Sequence, residues 1–154
     1  MTTIRRARPN DLETLVAGNQ TMALETESVR LDPATLRAGI AALLDGREPG
    51  TYWVIEAQDQ VIGQLLITYE WSDWRNRMVW WIQSVHIDAV HRGRGLFRIL
   101  YAHVRDEAQR AGAAGLRLYV DKTNTRAQAV YAALGMNGDH YSVFEDMFAV
   151  PQDE

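Results

Sequence analysis

Cysteine is absent from this chain, and its absence removes three kinds of chemistry. There can be no disulfide, no thiolate metal site and no cysteine nucleophile, and such a composition agrees with a reducing compartment. Long apolar runs are missing too: none approaches the roughly 18 residues that cross a bilayer, and the first residues lack the apolar core of a signal peptide. We therefore expect a cytoplasmic protein with no membrane partner.

Patterns for metal and nucleic-acid binding are also missing. The four histidines, at positions 86, 91, 103 and 140, have no metal-ligand spacing, so we expect no metal. The net charge is −4, whereas nucleic-acid binding needs a broad basic face, so we expect no nucleic-acid partner. The basic residues cluster locally instead, which suits a small polyanionic ligand.

The chain does have enough apolar material for one hydrophobic core. Of its 154 residues, 47% are hydrophobic and 23% are charged. A chain of this size buries about two thirds of its unfolded surface. We expect residues 1–154 to form a single domain.

Hydrophobic periodicity predicts a mixture of helices and strands. Asn10 with Glu13, and Asp32 followed by Pro33, are typical helix starts. In the first half of the chain the predicted elements are a strand at 3–8, helices beginning near 10 and 32, and a hairpin of 52–55 and 61–67 around a turn at 58–60. In the second half they are a strand at 78–87, a helix ending near 111, a strand at 116–120, a short helix ending at 135 and a last strand at 141–150.

A basic turn with two glycines joins the strand at 78–87 to the next helix. It reads His91-Arg92-Gly93-Arg94-Gly95-Leu96-Phe97-Arg98. Glycines let the backbone approach a ligand, and the unpaired N–H groups that open a helix bind anions. A dinucleotide-binding fingerprint would need a third glycine after Gly95, and a P-loop would need Lys followed by Ser or Thr at positions 96 and 97. The turn therefore predicts a pyrophosphate site of another kind.

A second pattern lies downstream, in an order and spacing that agree with the first. It runs from a strand at 118–120 through Asn124 and Ala127 to Tyr131 and the ending Gly135-Met136. Over nearly its whole length the chain resembles the GNAT superfamily of acyl-CoA-dependent N-acetyltransferases. The family's first pattern, a strand, Arg/Gln-x-x-Gly-x-Gly/Ala and a helix, is matched by Val85-His86-Ile87 leading into Arg92-Gly93-Arg94-Gly95.

This resemblance implies an α+β fold with a central, mostly antiparallel twisted sheet of six to seven strands and about four helices. It implies acetyl-CoA as co-substrate, with the strand edge at 85–87 pairing with the pantetheine amides, residues 92–98 holding the pyrophosphate and Asn124 donating or accepting a hydrogen bond. The residues implied to contact the cofactor are Val85, His86, Ile87, Arg92, Gly93, Arg94, Gly95, Leu96, Phe97, Arg98, Asn124 and Tyr131.

Phe97 departs from the family pattern, because it replaces the small residue that usually closes the first motif. In many relatives that small residue lets the helix backbone approach the phosphates. Position 97 lies one residue from the apolar stripe of Leu96, Ile99 and Leu100, so we expect the ring to point into the core rather than toward the pyrophosphate.

Acetyl transfer to an amine needs a base, an oxyanion binder and a proton for the departing thiolate. A main-chain N–H near residues 85–87 can bind the oxyanion, and Tyr131 stands at the family's usual general-acid position. The base is less evident. Period-2 alternation places Trp81, Gln83, Val85 and Ile87 on one face of the strand, and glutamine cannot accept a proton.

Acidic residues elsewhere are the candidates for that base. We select Glu25 and Glu70 first. The other acids that we expect near a substrate groove are Glu27, Asp73 and Glu145.

Aromatic and acidic residues are mixed in the segment 69–76, and Trp80 and Trp81 follow. Such a mixture can hold an amine through cation–π and charge contacts. It can equally cap the core or form a homodimer contact. Gln83 and Ser84 stand near positions where polyamine acetyltransferases carry acids, which disfavours a polyamine substrate.

These features favour an N-acetyltransferase that moves an acetyl group from acetyl-CoA to a primary amine of a small molecule by direct attack in a ternary complex. Without cysteine, a cysteine-linked ping-pong route is excluded. Two alternatives stay open: a protein or peptide N-terminal acetyltransferase, and a non-catalytic acyl-CoA-binding module.

Overall fold

The computed structural model describes residues 1–149, in which nine regular elements follow one another along the chain. They are β1 (Thr2–Arg6), α1 (Leu12–Glu27), α2 (Pro33–Leu44), β2 (Thr51–Ala57), β3 (Gln60–Ser72), β4 (Arg77–Ile87), α3 (Leu96–Arg110), β5 (Gly115–Arg117) and α4 (Thr125–Ala133). Contacts divide the chain into two compact units, Met1–Leu118 and Tyr119–Glu154. The first unit contains the whole sheet and α1 to α3; the second contains α4.

The five strands form one sheet in the order β1-β2-β3-β4-β5. All neighbouring strands are antiparallel except β4 and β5, which are parallel. The predicted α+β class, the mostly antiparallel sheet and the four helices are confirmed, although the described residues hold five strands rather than six to seven.

The differences between the predicted and the observed strands are in the C-terminal part of the chain. Residues 141–149 contain no strand, so the predicted last strand is wrong over that stretch, and its final residue, 150, lies outside the described residues. The strand predicted at 116–120 shrinks to Gly115–Arg117. Alternating apolar residues supply strand propensity only, and a strand also needs a partner for its backbone hydrogen bonds.

Local capping signals explain how the first two helices begin. The Asp32 carboxylate accepts a hydrogen bond from the Thr35 N–H at 2.9 Å, which confirms the predicted start of α2. The predicted cap by Asn10 with Glu13 is wrong. Asp11 instead accepts the Arg8 N–H at 2.6 Å and ends a short 3-10 turn, while Glu13 is drawn away into an ion pair with Arg37 at 2.8 Å.

The helices of the first unit cover both faces of the sheet. On one face Leu15 and Val16 of α1 and Ile40 of α2 pack with Tyr52 and Val54 of β2. On the other face, the His103 ring of α3 lies 5.1 Å from the Trp53 ring of β2 in an edge-to-face arrangement. These two contacts define what we call the α1/α2 face and the α3 face.

A buried polar layer joins α1 to the sheet. The Asn19 side chain donates to the Tyr52 hydroxyl at 3.1 Å, and the Gln64 amide donates to the Leu15 carbonyl at 3.2 Å. Gly18 makes this contact close, because a Cβ built there would lie 2.2 Å from the Gln64 Oε1. Gln64 is 3% exposed, so its amide has little room to move away.

A β-bulge interrupts β4 at Gln83. In the pairing with β3, Leu66 lies opposite Ser84 while the next residue, Ile67, lies opposite Ile82, so Gln83 is the extra residue. Its amide donates to the Thr68 hydroxyl at 2.8 Å. The bulge divides β4 into two segments. Side chains alternate between the two faces of the sheet in each segment, but the alternation is shifted by one residue from one segment to the other.

The prediction that Trp81, Gln83, Val85 and Ile87 share one face is therefore wrong. The pairing register places Val85 and Ile87 on the α3 face, in the same rows as Trp53 and Ile55. Trp81 lies on the α1/α2 face, because the extra residue shifts the alternation between positions 82 and 84.

Candidate functional site

The glycine turn leads from the end of β4 to the start of α3. A 3-10 turn at Ala89–His91 follows β4, and α3 begins at Leu96 with Gly95 as its N-cap. Gly93 and Gly95 have φ values of +78° and +73°, a left-handed conformation that side chains other than glycine rarely adopt. Apart from the adjoining residues of the chain, no atom of residues 1–149 lies within 4 Å of a Cβ built at either position. The two glycines thus lead directly into a 15-residue helix, whose first N–H groups have no partner within the helix itself.

The turn and the first turn of α3 carry three exposed arginines, and one of them is held by other groups. Arg92 donates from Nε to the Ile87 carbonyl at 2.9 Å and from Nη2 to the Glu25 carboxylate at 2.7 Å. Within residues 1–149, neither Arg94 nor Arg98 forms an ion pair. Backbone N–H groups at a helix start, left-handed glycines and arginine charge together are suited to binding an anion, and the predicted pyrophosphate contact stays a prediction.

Phe97 is half-buried, and its ring centroid lies 6.1 Å from that of Tyr101, one turn later on α3. The buried stripe of this helix includes Tyr101 at 7% exposure, whereas Ile99, predicted to be part of it, is 46% exposed. Compared with the prediction, the buried face of α3 is therefore rotated around the helix axis toward Phe97. This contact supports the prediction that Phe97 packs toward the protein interior.

His86 lies on the α1/α2 face of β4, beside an open groove of about 380 Å³. The groove is lined by Glu13, Thr14, Ala17, Gly18, Thr21, His86 and Asp88. The imidazole is 7% exposed, and its Nε2 lies 3.5 Å from Asp88 Oδ1. Burial lowers the pKa of His86, and the Asp88 charge opposes that shift only in part.

A neutral imidazole of this kind can accept a proton. Sequence reasoning placed His86 among the cofactor-contacting strand residues and missed this environment. The sequence feature that could have indicated a histidine beside a groove is its position in β4, shortly after the polar pair Gln83-Ser84.

The two acids selected as base candidates occupy different places. Glu25, near the C-terminal end of α1, is brought to the glycine turn by its ion pair with Arg92. Glu70 lies on β3 and accepts hydrogen bonds from the Trp81 indole N–H and from Arg117 Nη1, the latter at 3.1 Å. The other three acids, Glu27, Asp73 and Glu145, are exposed.

The second pattern lies in the second unit, on and beside α4. Asn124 is the N-cap of α4, and its side chain accepts the Ala127 N–H at 3.1 Å. Tyr131 is half-buried, and burial raises the pKa of its hydroxyl. A hydroxyl with a raised pKa stays protonated at neutral pH and can donate a proton. The contacts of Asn124 and Tyr131 with CoA stay predictions.

Residues 1–149 contain no cluster of three or more histidine, aspartate or glutamate side chains that could hold a metal ion. In the same range no helix combines the length and apolar character that a membrane span requires.

Comparison with known proteins gives matches at the level of sequence and of structure. The family model described as Acetyltransferase (GNAT) family matches residues 16–136. Streptothricin acetyltransferase of Streptomyces lavendulae is 30% identical over 82 residues, which are 53% of this chain and 40% of that protein. The match thus spans less than half the length of this curated relative.

Solved structures match over almost the entire chain. A possible acetyltransferase from Clostridium difficile 630 has a TM-score of 0.90 and 38% identity, covering 97% of this chain and 99% of the other. A ribosomal-protein-alanine N-acetyltransferase from Brucella melitensis biovar Abortus 2308 has a TM-score of 0.76 and 14% identity, covering 96% of this chain and 100% of the other. At that identity the likeness concerns the fold alone.

Proposed function

Because this chain belongs to the GNAT family of acetyltransferases, we propose that it transfers an acetyl group from acetyl-CoA to a primary amine of a small molecule by direct attack in a ternary complex. The observation that carries the proposal is the open turn at Gly93 and Gly95, left-handed and basic, at the start of a long helix. The likeness to streptothricin acetyltransferase supports a small-molecule acceptor.

In this proposal residues 92–98 hold the pyrophosphate through backbone N–H groups and arginine charge. The strand edge at 85–87 pairs with the pantetheine amides. When bound, acetyl-CoA supplies an acetyl group activated as a thioester. The bulge at Gln83 interrupts the ladder of β4, and a main-chain N–H released from pairing on this strand is available to bind an oxyanion.

Glu70 is our first choice for the base. Its carboxylate accepts a hydrogen bond from the Trp81 indole N–H, and Trp81 lies two residues, about 7 Å along β4, from the bulge at Gln83. In the proposed reaction Glu70 takes a proton from the acceptor ammonium, and the neutral nitrogen forms its bond to the acetyl carbon. As the carbon–sulfur bond breaks, Tyr131 protonates the departing sulfur, and the second proton of the new amide nitrogen restores the Tyr131 hydroxyl. His86, neutral and beside the α1 groove, is the alternative proton acceptor that the structure adds.

Glu25 has a different role in this proposal. Its partner Arg92 is tethered to the Ile87 carbonyl at the end of β4, about 13 Å along the strand from Gln83. A carboxylate there competes with phosphate for Arg92 and is remote from the acyl group. We therefore propose that Glu25 lowers the affinity of the glycine turn for the CoA phosphates and takes no part in proton transfer.

The Glu25→Gln variant tests this assignment. We expect CoA to bind about 2- to 5-fold more tightly, because a half-exposed ion pair that competes with the phosphates is worth up to about 1 kcal/mol. Calorimetric titration with CoA at two salt concentrations measures the effect, which should shrink at high salt. A fall of kcat by 100-fold or more would instead identify Glu25 as the base.

The proposed activity is tested by incubating the purified protein with acetyl-CoA and a panel of amines, amino acids, aminoglycosides and peptides while free thiol is measured. Thiol release that depends on a small amine supports the proposal. Release with peptides alone would favour an N-terminal acetyltransferase. Tight CoA binding without release above hydrolysis for any acceptor would favour a binding module.

A further inference from the structure

Three charged or aromatic side chains meet on the α1/α2 face of the sheet, close to the bulge. Trp81 of β4 lies in register with Arg117 of β5, and Glu70 of β3 lies diagonal to Trp81. The Glu70 carboxylate accepts from the Trp81 indole N–H and from Arg117 Nη1. We call this the Glu70–Trp81–Arg117 cluster.

The cluster remains accessible from solvent. The Glu70 and Arg117 side chains are 43% and 30% exposed, and Trp81 is half-buried. Solvent-exposed ion pairs contribute little to stability, so folding alone gives a weak reason for such a pair on this strand. Its position two residues from Gln83 places it next to the site where the proposed reaction takes place.

The cluster presents one anion and one cation side by side, with 3.1 Å between Glu70 Oε1 and Arg117 Nη1. An α-amino acid carries the complementary arrangement, since its ammonium and its carboxylate are attached to the same carbon. If the substrate exchanges the bond between Glu70 and Arg117 for two bonds of its own, Glu70 meets the ammonium and the planar guanidinium matches the geometry of the carboxylate. The Trp81 indole offers an apolar surface to the rest of the acceptor.

We infer that the Glu70–Trp81–Arg117 cluster selects acceptors that carry a carboxylate next to the amine, and that Arg117 is the residue that determines this specificity. The inference rests on the proposed acetyl transfer and narrows its acceptor to α-amino acids and molecules that end in one. A simple amine or a polyamine has no carboxylate that the Arg117 guanidinium could bind, so such acceptors bind more weakly.

Matched pairs of acceptors test the inference. Phenylalanine is compared with 2-phenylethylamine, and lysine with 1,5-diaminopentane, in the thiol-release assay. We expect the wild-type protein to favour the carboxylate-bearing member by about 10- to 100-fold in kcat/KM, since a hydrogen bond between charged groups is worth about 1.5–3 kcal/mol. A ratio near or below one in the wild-type protein would overturn the inference.

Variants of Arg117 identify the residue responsible. Arg117→Gln should bring the ratio close to one, and Arg117→Lys, which keeps the charge but loses the guanidinium fork, should keep part of it. The matched control is Arg110→Gln, which removes an arginine with a 2.7 Å ion pair to Asp106 on α3 and should leave the ratio as in the wild-type protein. An equal loss for both members of each pair in Arg117→Gln would show that Arg117 only orients Glu70.

Binding measurements separate this inference from the proposed reaction. Calorimetric titration of the CoA-bound protein with phenylalanine and with 2-phenylethylamine requires no turnover. If no acceptor releases thiol, the proposed function fails, yet tighter binding of phenylalanine that is lost in Arg117→Gln still supports the inference. Equal binding of the two probes would overturn it whether or not the protein is active.

Discussion

Replacing Gly95 by alanine is expected to weaken CoA binding about 100-fold, because hydrogen bonds to charged groups are worth about 1.5–3 kcal/mol each and the new methyl group displaces the phosphates from at least one of them. Gly95 is left-handed at φ +73°, and its Cβ position is open. The methyl group therefore meets no atom of residues 1–149 other than those of its chain neighbours, and it projects into the space that we assign to the pyrophosphate. Calorimetric titration with CoA measures the loss.

Gly112 provides a matched control at the other end of the same helix. It has φ +78° and equally open surroundings. Gly112→Ala should therefore carry the same conformational cost, about 1 kcal/mol of unfolding free energy, without any change in CoA affinity. Thermal denaturation of both variants checks this cost. Unchanged CoA binding by Gly95→Ala would contradict the assignment of the pyrophosphate to this turn.

The Tyr131→Phe variant is expected to lower kcat about 100-fold while changing the dissociation constant of CoA by less than about 2-fold. The substitution removes only the hydroxyl, so the half-buried ring keeps its packing. Steady-state kinetics and CoA titration measure the two quantities separately. Unchanged turnover would remove Tyr131 from the mechanism.

The pH dependence gives a second readout for Tyr131. Burial raises the pKa of its hydroxyl, so the protonated form that acts as an acid persists to higher pH than in an exposed tyrosine. Wild-type kcat should therefore fall on the alkaline side only above pH 10, and the Phe variant should lack that fall. Tyr119→Phe is the control, since Tyr119 is 52% exposed and belongs to the same unit.

Local signals were sufficient to predict most of the fold. Asp32 followed by Pro33 begins α2 as expected, and the hairpin turns at Gln58 and Asp59, which both have positive φ. The glycine turn lies at the start of α3 and the helical part of the second motif lies on α4, as predicted, whereas its strand at 118–120 does not form. Each of these features depends on contacts between residues a few positions apart, so a short stretch of sequence is sufficient to predict it.

Features that depend on distant partners could not be predicted in this way. The bulge at Gln83 is defined by the register between β3 and β4, and the adjacent polar residue Ser84 hides it from any alternation pattern. The ion pair of Glu25 with Arg92 joins residues 67 positions apart. Arg117, which we place in the acceptor site, could not be identified from the sequence. The interaction that singles it out is its hydrogen bond to Glu70, which lies two strands away in the sheet.

The close contact at Gly18 has a consequence for how this protein tolerates change. Alanine in place of glycine inside a helix ordinarily stabilises it by about 1 kcal/mol. Here the added methyl group would displace the buried Gln64 amide from the Leu15 carbonyl, or lift α1 from the sheet. Gly18 and His86 line the same groove, so a displacement of α1 would also move one wall of that groove.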